Sequence, residues 1–268
     1  MIAFAGNSLL ARLALADASM DPALFTTLRL VSGALALLGF AYLSRRHLPV
    51  QESNWKAAVA LFVYAAGFAF AYVQLSAATG ALILFATVQL SLIAYGVYNG
   101  QRLVAIQAVG IAMGALGILI LMLPGLASPD WLGSLLMVTA GLAWAVYTIQ
   151  GGVRDPILAS RNNFVGAALL CPLLLIWLPF FNGFSVPGII YALLSGVFAS
   201  AGGYIIWYAV LKQFNAIDAA TVQLSVPIIT ALLGIVLLSE PLTLHVVIAF
   251  VVSIFGIGLS IRYAPKSQ

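Results

Sequence analysis

The sequence predicts an all-α, polytopic membrane protein with ten transmembrane helices, arranged as two inverted five-helix repeats. Its composition, its apolar segments and the similarity of its two halves predict this fold. Of the 268 residues, 63% are hydrophobic and only 7% are charged, and the mean hydropathy is +1.13. A water-soluble core does not need so much apolar surface, so the composition indicates a protein embedded in the lipid bilayer.

Ten apolar segments are bounded by charged residues, Pro, Gly or Asn. They lie near residues 1–16, 21–43, 54–75, 78–98, 103–123, 131–151, 162–181, 187–211, 216–238 and 243–262. A helix rises about 1.5 Å per residue and a bilayer core requires roughly 20 residues, so most segments are long enough to span. The first segment is short. We expect either that neighbouring helices support it or that the chain begins later than its relatives do.

The basic residues predict the orientation of these segments. With ten spans and the N-terminus inside, nine of the eleven Lys and Arg residues fall at cytoplasmic ends. The outer loops near 76–78, 124–130, 182–186 and 239–242 hold none. This asymmetry follows the positive-inside rule and predicts a cell inner-membrane protein with both termini in the cytoplasm. The net charge of +4 therefore reflects topology, and we expect no nucleic-acid partner.

The second half of the chain repeats features of the first, which predicts repeats over residues 1–123 and 131–262. At an offset of about 138 residues, the aligned pairs are Ala78 with Ala216, Gly96 with Gly234, and Arg102 with Glu240. The hexapeptide ATVQLS recurs at 86–91 and 220–225, an offset of 134, but the offset of 138 aligns the helix ends. Because five is an odd number, the halves have opposite orientations, as is common among secondary carriers.

Three motifs carry a resemblance to a known family. They are the run Trp144-Ala145-Val146-Tyr147, the helix break at Pro227, and the turn Ser239-Glu240-Pro241-Leu242-Thr243. With them, the chain resembles the EamA-like branch of the drug/metabolite transporter superfamily over essentially its whole length. Where relatives often carry Pro and Glu in the first half, this chain has Gln89 and Gln101. The resemblance implies a central cavity formed by helices 1–4 and 6–9, with helices 5 and 10 peripheral, and export of amino acids, other metabolites or drugs.

Polar and aromatic side chains on the remaining helices are candidates for binding a small organic substrate. Trp144 and Tyr147 share one helix face, as do Tyr204 and Tyr208, and buried polar groups in lipid collect at the bundle interior. The candidate substrate-binding residues are Asn7, Gln89, Tyr95, Trp144, Tyr147, Tyr204, Tyr208 and Gln223. Gln89 and Tyr95 lie on different faces of one helix, so we do not expect both to face one cavity. The alternative is that these side chains form interfacial belts or hydrogen bonds between helices.

Other residues are candidates for hinges or turns. Adjacent glycines weaken a helix, so Gly202 and Gly203 are the predicted hinge. Pro227 removes a backbone hydrogen bond within its segment, and Glu240 lies in a structural turn at the outer mouth.

Arg29 is the one charge well inside a predicted span. It could receive a substrate carboxylate, or it could extend to the membrane interface or pair with Asp17 or Asp21. We favour the structural interpretation, because long cationic side chains can reach the interface from that depth.

The sequence also indicates which kinds of chemistry to expect least. The chain has one cysteine, Cys171, and two His residues, which lie in a loop or at a helix end. We therefore expect no metal site, no cofactor and no enzymatic activity, although a lipid-modifying enzyme remains an alternative. No Asp or Glu lies in the middle of a span, so we expect facilitated transport, or coupling that does not use a buried carboxylate. The expected partners are a small-molecule substrate and lipid, with the protein a monomer or homodimer. A multidrug efflux carrier and an accessory subunit without a cavity remain further alternatives.

Overall fold

The structure, a computed structural model, describes residues 1–16, 20–43, 54–100, 104–122, 129–151, 155–181, 183–213, 219, 222–223, 225–240 and 243–263. Every regular element within these ranges is a helix. The first seven helices are α1 (Ile2–Leu15), α2 (Pro22–Leu43), α3 (Trp55–Tyr72), α4 (Ala77–Tyr98), α5 (Ala105–Met122), α6 (Trp131–Ile149) and α7 (Pro156–Leu169), which a 3₁₀ helix follows at Cys171–Phe180. The remaining helices are α8 (Val186–Leu211), α9 (Ser225–Leu238) and α10 (Leu244–Arg262).

Six helices in the described part of the chain are long and apolar enough to cross a bilayer. They include α2, α3, α4, α6, the α7 region over Pro156–Leu174, and α8. Shorter apolar helices lie at Ile2–Leu15, Ala105–Gly114, Ser225–Leu238 and Val246–Ser260. The protein is therefore an all-helical, multi-pass membrane protein, as its composition predicts.

Acidic residues at the predicted segment ends act as N-caps. The Asp21 carboxylate accepts hydrogen bonds from the backbone N–H groups of Ala23 and Leu24, at 2.9 and 3.0 Å. Asp130 caps α6 in the same way, and Asp155 caps α7. Each carboxylate satisfies donors that have no partner inside the helix. The Asp155 cap begins α7 at Pro156, before the predicted start at 162, because polar residues at 160–163 interrupt the apolar pattern after the first turn.

The helix α8 changes geometry midway along its length. It is α-helical at Val186–Leu194 and Gly203–Leu211 and π-helical between them, at Ser195–Gly202. The π-helical segment packs on α2 at Gly196, where a methyl group would overlap the Arg29 carbonyl oxygen and the Ser32 hydroxyl. Short π-helical segments are rare and frequently lie at functional sites.

The helices α5 and α10 pack closely on each other. A methyl group at Gly110 would overlap the backbone of Gly256 and Ser260, and one at Gly117 would overlap Ser253. Small residues at this face allow the close approach. The other helices pack mainly around α1, α2, α3 and α6, where the buried core lies.

Candidate functional site

A buried set of polar and aromatic side chains lies where α1, α2, α3, α6, α7 and α8 meet. We call it the central cluster. Its members are Phe4, Asn7, Arg29, Tyr64, Trp144, Tyr147, Asn163, Ser195, Ser200, Tyr204, Trp207, Tyr208 and Gln223, all of which are buried. Buried polar groups in a membrane protein are costly unless they are paired, so such a concentration marks a candidate functional site.

The Arg29 guanidinium is the only charged group in the central cluster, and its side chain is 1% exposed. Its Nε donates to the Ser200 hydroxyl at 2.9 Å. Its Nη2 donates to the hydroxyls of Tyr204, at 2.8 Å, and Tyr64, at 3.3 Å. Nη1 is buried and has no hydrogen-bond partner among the residues that the structure describes. The guanidinium also lies 5.1 Å from the ring centroids of both Tyr64 and Phe68.

A hydrogen-bonded chain continues from the guanidinium to α1. The Tyr64 hydroxyl accepts a second hydrogen bond, from Asn7 Nδ2 at 3.2 Å. The Ser195 hydroxyl in turn donates to Asn7 Oδ1 at 2.5 Å. Side chains of α1, α2, α3 and the π-helical segment of α8 are thus connected through Tyr64 and Asn7. A network with so many members fixes the position of each group.

Trp144 is the centre of the aromatic part of the cluster. Its ring lies 4.8 Å from Tyr64, 4.9 Å from Tyr204 and 5.2 Å from Tyr147, between ring centroids. Its indole Nε1–H donates to Gln223 Oε1 at 2.9 Å. The indole therefore packs beside both tyrosines that hold Arg29, while its polar edge is fixed by the segment that precedes α9.

Tyr208 extends the aromatic layer beyond Tyr147. The two rings stack with centroids 4.9 Å apart and planes inclined by 24°. The Tyr208 hydroxyl donates to the Tyr147 carbonyl oxygen at 3.1 Å and accepts from Asn163 Nδ2 at 3.4 Å. This end of the cluster is therefore held by α6, α7 and α8 together.

A cavity of about 530 Å³ lies beside the cluster, at the N-terminal end of α1. It is lined by Met1, Ile2, Ala3, Phe4, Gly203, Ile206, Trp207, Val210 and Val222. The Phe4 ring contacts Trp144 and Tyr204, at centroid distances of 5.4 and 5.8 Å. Phe4 thus separates the cavity from the rings around Arg29. The cavity volume falls in the range of sites for small organic molecules.

Comparison with known proteins identifies the family. A model described as the EamA-like transporter family matches residues 131–262. An uncharacterized protein of Pseudomonas aeruginosa is 46% identical over 270 residues, which are 99% of this chain and 92% of that protein. The chain belongs to the EamA-like transporter family.

Two further relatives agree with this membership, and a solved structure shares the fold. An uncharacterized transporter of Clostridium kluyveri is 29% identical over 180 residues, covering 63% of this chain and 57% of the relative. An uncharacterized transporter of Archaeoglobus fulgidus is 24% identical over 278 residues, covering 97% of this chain and 94% of the relative. A crystal structure with 18% identity superposes with a TM-score of 0.68, over 98% of this chain and 96% of the other, and shows the shared fold. The EamA-like chain is thus a membrane transporter.

Six of the eight predicted substrate-binding residues of this EamA-like protein lie in the central cluster. These are Asn7, Trp144, Tyr147, Tyr204, Tyr208 and Gln223. Gln89 is buried within α4, whereas Tyr95 is 42% exposed on the outer surface of the same helix. The two residues therefore do face different ways. The roles of all eight in binding remain predictions.

The structure contradicts one part of the favoured interpretation of Arg29, the extension of its side chain to the membrane interface. The side chain does not extend to the surface, because it is buried and hydrogen-bonded to three hydroxyl groups. Asp21 caps α2, and the one ion pair among the described residues joins Arg12 to Glu240. Asp17 lies outside the described residues. The sequence did indicate that this charge lies deep in its segment. It could not indicate the uncharged polar groups that surround the charge, because they come from distant helices.

Several other cluster members did not stand out in the sequence. Phe4, Tyr64, Asn163 and Ser195 were not among the residues predicted to bind substrate. Tyr64 shares its helix face with Phe68, four residues later, and this spacing could have indicated an inward aromatic face.

The predicted hinge residues are helical in the structure. Gly202 and Gly203 have helical backbone angles and lie where the π-helical segment of α8 returns to α-helix. A methyl group at Gly203 would lie 3.1 Å from the Ala3 side chain, which places this glycine against α1. Pro227 is buried in α9. Their action as hinges remains a prediction.

Glu240 joins helices of the two halves. Its carboxylate accepts from the Ala77 N–H at 2.9 Å, at the start of α4, and from Arg12 Nε at 3.3 Å. Arg12 also donates to the carbonyl oxygens of Tyr72 and Val73, at the end of α3. The expectation that Glu240 has a structural role agrees with these contacts.

Within the described residues, no group of three or more His, Cys, Asp or Glu side chains could hold a metal ion.

Proposed function

We propose that the protein is a secondary transporter that exports small organic metabolites, amino acids or related compounds, across the cell inner membrane by alternating access. The observation that carries the proposal is the central cluster. It is buried, it contains polar groups, and its side chains come from both halves of the chain, with Arg29 and Tyr64 from the first and Trp144 and Tyr204 from the second. Carriers built from repeats bind their substrates at such an interface.

The helix contacts support an arrangement of ten spans in two inverted repeats. Contacts of α1 with α8 and α9 have counterparts in those of α6 with α3 and α4. The contact of α2 with α8 likewise has a counterpart in that of α7 with α3. Corresponding helices also meet directly, as α2 with α7, α4 with α9, and α5 with α10. A two-fold axis that exchanges helix n with helix n plus five would produce this pattern. The family match over residues 131–262 coincides with the predicted second repeat.

The cavity beside Phe4 supports a route to the cluster from one side. It lies at the N-terminal end of α1, which the distribution of basic residues predicts to be cytoplasmic. A solute in this cavity is separated from Trp144 and Tyr204 by the Phe4 ring. A solute that enters the cluster from the cytoplasm would therefore require Phe4 to move, which fits a gate on the inner side.

Flux measurements on purified protein in liposomes test the proposal. We expect Trp144→Ala to abolish accelerated release of an amino acid or related metabolite, because Trp144 is 2% exposed in the cluster. The matched control is Trp131→Ala on the same helix, since Trp131 is 72% exposed. Equal flux through both variants would contradict the placement of the site. Product formation without flux would indicate an enzyme instead.

A further inference from the structure

We propose that Arg29 is an anion site, so that the substrate carries a carboxylate joined to an apolar or aromatic body. The substrate's carboxylate would bind the free Nη1 edge of the guanidinium. This inference rests on the proposed function for its claim about transport, but its claim about binding is independent. The proposed function gives small organic metabolites as substrates, and this inference narrows them to acids with an apolar or aromatic body.

The first reason is that the Arg29 charge is buried with no counter-ion among the described residues. Among the residues that the structure describes, no carboxylate oxygen lies within 4.0 Å of the guanidinium. The described carboxylates of Asp21, Asp130 and Asp155 cap helices, and that of Glu240 pairs with Arg12. An arginine does not become neutral when it is buried, because its guanidinium cannot be deprotonated in a protein. The positive charge is therefore permanent.

The second reason is that the present contacts lower the cost of burying the guanidinium but do not neutralise its charge. The effective penalty for removing one ion from water is several kcal/mol. Three hydroxyl acceptors and two ring faces surround Arg29, and all are uncharged. They reduce the penalty, since a desolvated cation–π contact contributes about 2 kcal/mol, but they add no negative charge. A bound anion would supply what is missing.

The third reason is that one edge of the guanidinium has no hydrogen-bond acceptor among the described residues. Nε and Nη2 are held by Ser200, Tyr204 and Tyr64, which fixes the plane of the group. Nη1 is buried, and no described residue accepts a hydrogen bond from it. An ionised oxygen is the strongest partner that an arginine N–H can find, and a fixed donor loses little entropy on binding it.

The surroundings of Arg29 indicate the rest of the ligand. Trp144 packs against both Tyr64 and Tyr204, so the indole lies next to the residues that hold the guanidinium. Phe68 and Phe4 add further apolar surface to this region. An apolar or aromatic body beside the carboxylate would pack on these rings. A lipophilic cation would instead meet the Arg29 charge, which would oppose its binding.

A simpler interpretation is that Arg29 only ties α2, α3 and α8 together. That role predicts a loss of stability when the residue is replaced, but it predicts no ligand that depends on the charge. The experiment therefore measures the shift in melting temperature that a ligand produces, not the melting temperature itself. Only a ligand that binds the folded protein produces such a shift.

Three probes with the same aromatic body separate the possible head groups. They are 3-phenylpropionate, phenylalanine and 2-phenylethylamine, which carry a carboxylate, a zwitterion and a cation. Indole-3-acetate and benzoate extend the acid series. We expect at least one carboxylate-bearing probe to stabilise the wild-type protein and to bind with at least tenfold higher affinity than the amine. If no acid binds, or if the amine binds as well as the acids, the inference is wrong.

Substitution of Arg29 tests whether this residue is the anion site. In Arg29→Gln we expect the dissociation constant of the bound acid to rise by at least about thirtyfold. This corresponds to about 2 kcal/mol, the lower end of the cost of removing one partner of a buried charge pair. Arg29→Lys keeps the charge but loses the planar fork, so we expect intermediate affinity. The control is Arg12→Gln, which removes an arginine that pairs with Glu240 outside the cluster. Unchanged acid affinity in both Arg29 variants would overturn the inference.

Two further measurements keep the test decisive. If Arg29→Gln does not fold, Tyr64→Phe and Tyr204→Phe retain the charge while removing its acceptors, and we expect altered acid affinity with no gain of amine binding. Flux of the same probes into liposomes then separates the two proposals. Binding that depends on Arg29 without flux would support the anion site and contradict transport. Flux that does not depend on Arg29 would support transport and contradict the anion site.

Discussion

Tyr204 and Tyr64 hold the Arg29 guanidinium, and their hydroxyls are its closest partners on α8 and α3. In Tyr204→Phe the ring remains but Nη2 loses its 2.8 Å acceptor. Hydrogen bonds to charged groups contribute about 1.5–3 kcal/mol, so we expect the free energy of unfolding in detergent to fall by that amount. Chemical denaturation of the purified variant measures it.

The matched control is a tyrosine whose hydroxyl faces outward. Tyr98 is 88% exposed at the end of α4, so Tyr98→Phe should leave the free energy of unfolding within about 0.5 kcal/mol of the wild type. Equal effects of the two substitutions would contradict the role that we assign to the Arg29 network.

At this scale, spacing predicted the aromatic faces but not the charge at their centre. Trp144 and Tyr147, three residues apart, do face the same interior, as do Tyr204 and Tyr208. Arg29 was assigned to the surface because long side chains can extend to an interface. Its actual position depends on Ser200 and Tyr204, more than 170 residues away along the chain, and on Tyr64. No local pattern could reveal these partners.

The contact between α2 and α8 depends on the absence of a side chain at Gly196. In Gly196→Ala the new methyl group would overlap the Arg29 carbonyl oxygen and the Ser32 hydroxyl, so the helices must separate. We expect a loss of about 1–3 kcal/mol in the free energy of unfolding, which is typical of overpacking.

Gly39 provides the comparison for this substitution on α2 itself. Apart from the local backbone of α2, no atom of the described residues lies within 4 Å of a methyl group placed there. Because alanine favours helix over glycine, Gly39→Ala should be neutral or slightly stabilising. A Gly196→Ala variant as stable as Gly39→Ala would show that α2 and α8 do not approach as closely as described.

The ends of α1, α3, α4 and α9 depend on one ion pair between Arg12 and Glu240. A double-mutant cycle with Arg12→Gln and Glu240→Gln measures their coupling. We expect about 0.5–3 kcal/mol, since the pair is half-buried and both side chains also hold backbone groups of other helices. Strict additivity of the two substitutions would contradict a direct interaction.

An acidic cap followed by a proline marks the starts of both α2 and α7, but only the start of α2 was predicted well. Asp21 and Asp155 both precede a proline and cap a helix. The start of α7 was placed too late because Arg161 and Asn162 follow its cap and lower the local hydropathy. The π-helical segment of α8 had no counterpart in the prediction, because it arises from packing against α2 and not from periodicity.

For the whole molecule, composition was sufficient to predict a helical membrane protein. Hydropathy measures transfer into lipid, and this property depends on the local sequence alone. The arrangement of helices around the central cluster depends on contacts between distant segments. The repeated motifs suggested those contacts only in outline, because ATVQLS and the helix ends favour different registers.

The coupling of transport should not depend on a buried carboxylate. The described carboxylates of Asp21, Asp130, Asp155 and Glu240 all lie at helix ends. We therefore expect an imposed proton gradient to leave the rate of liposome uptake nearly unchanged once the membrane potential is clamped. Strong acceleration under that clamp would contradict this expectation.

The central claim is that solutes pass through the buried cluster around Arg29, and the accessibility of Ser200 tests it most directly. Ser200 is fully buried beside the guanidinium, and Cys171 is the only native cysteine. A Ser200→Cys, Cys171→Ala protein can be treated with a negatively charged, membrane-impermeant methanethiosulfonate in vesicles of either orientation. Ser253→Cys, buried between α5 and α10, is the control that should stay unmodified. The account predicts that Cys at position 200 is modified from both sides of the membrane and that a bound acid slows the reaction. Protection of this position from both sides would contradict it.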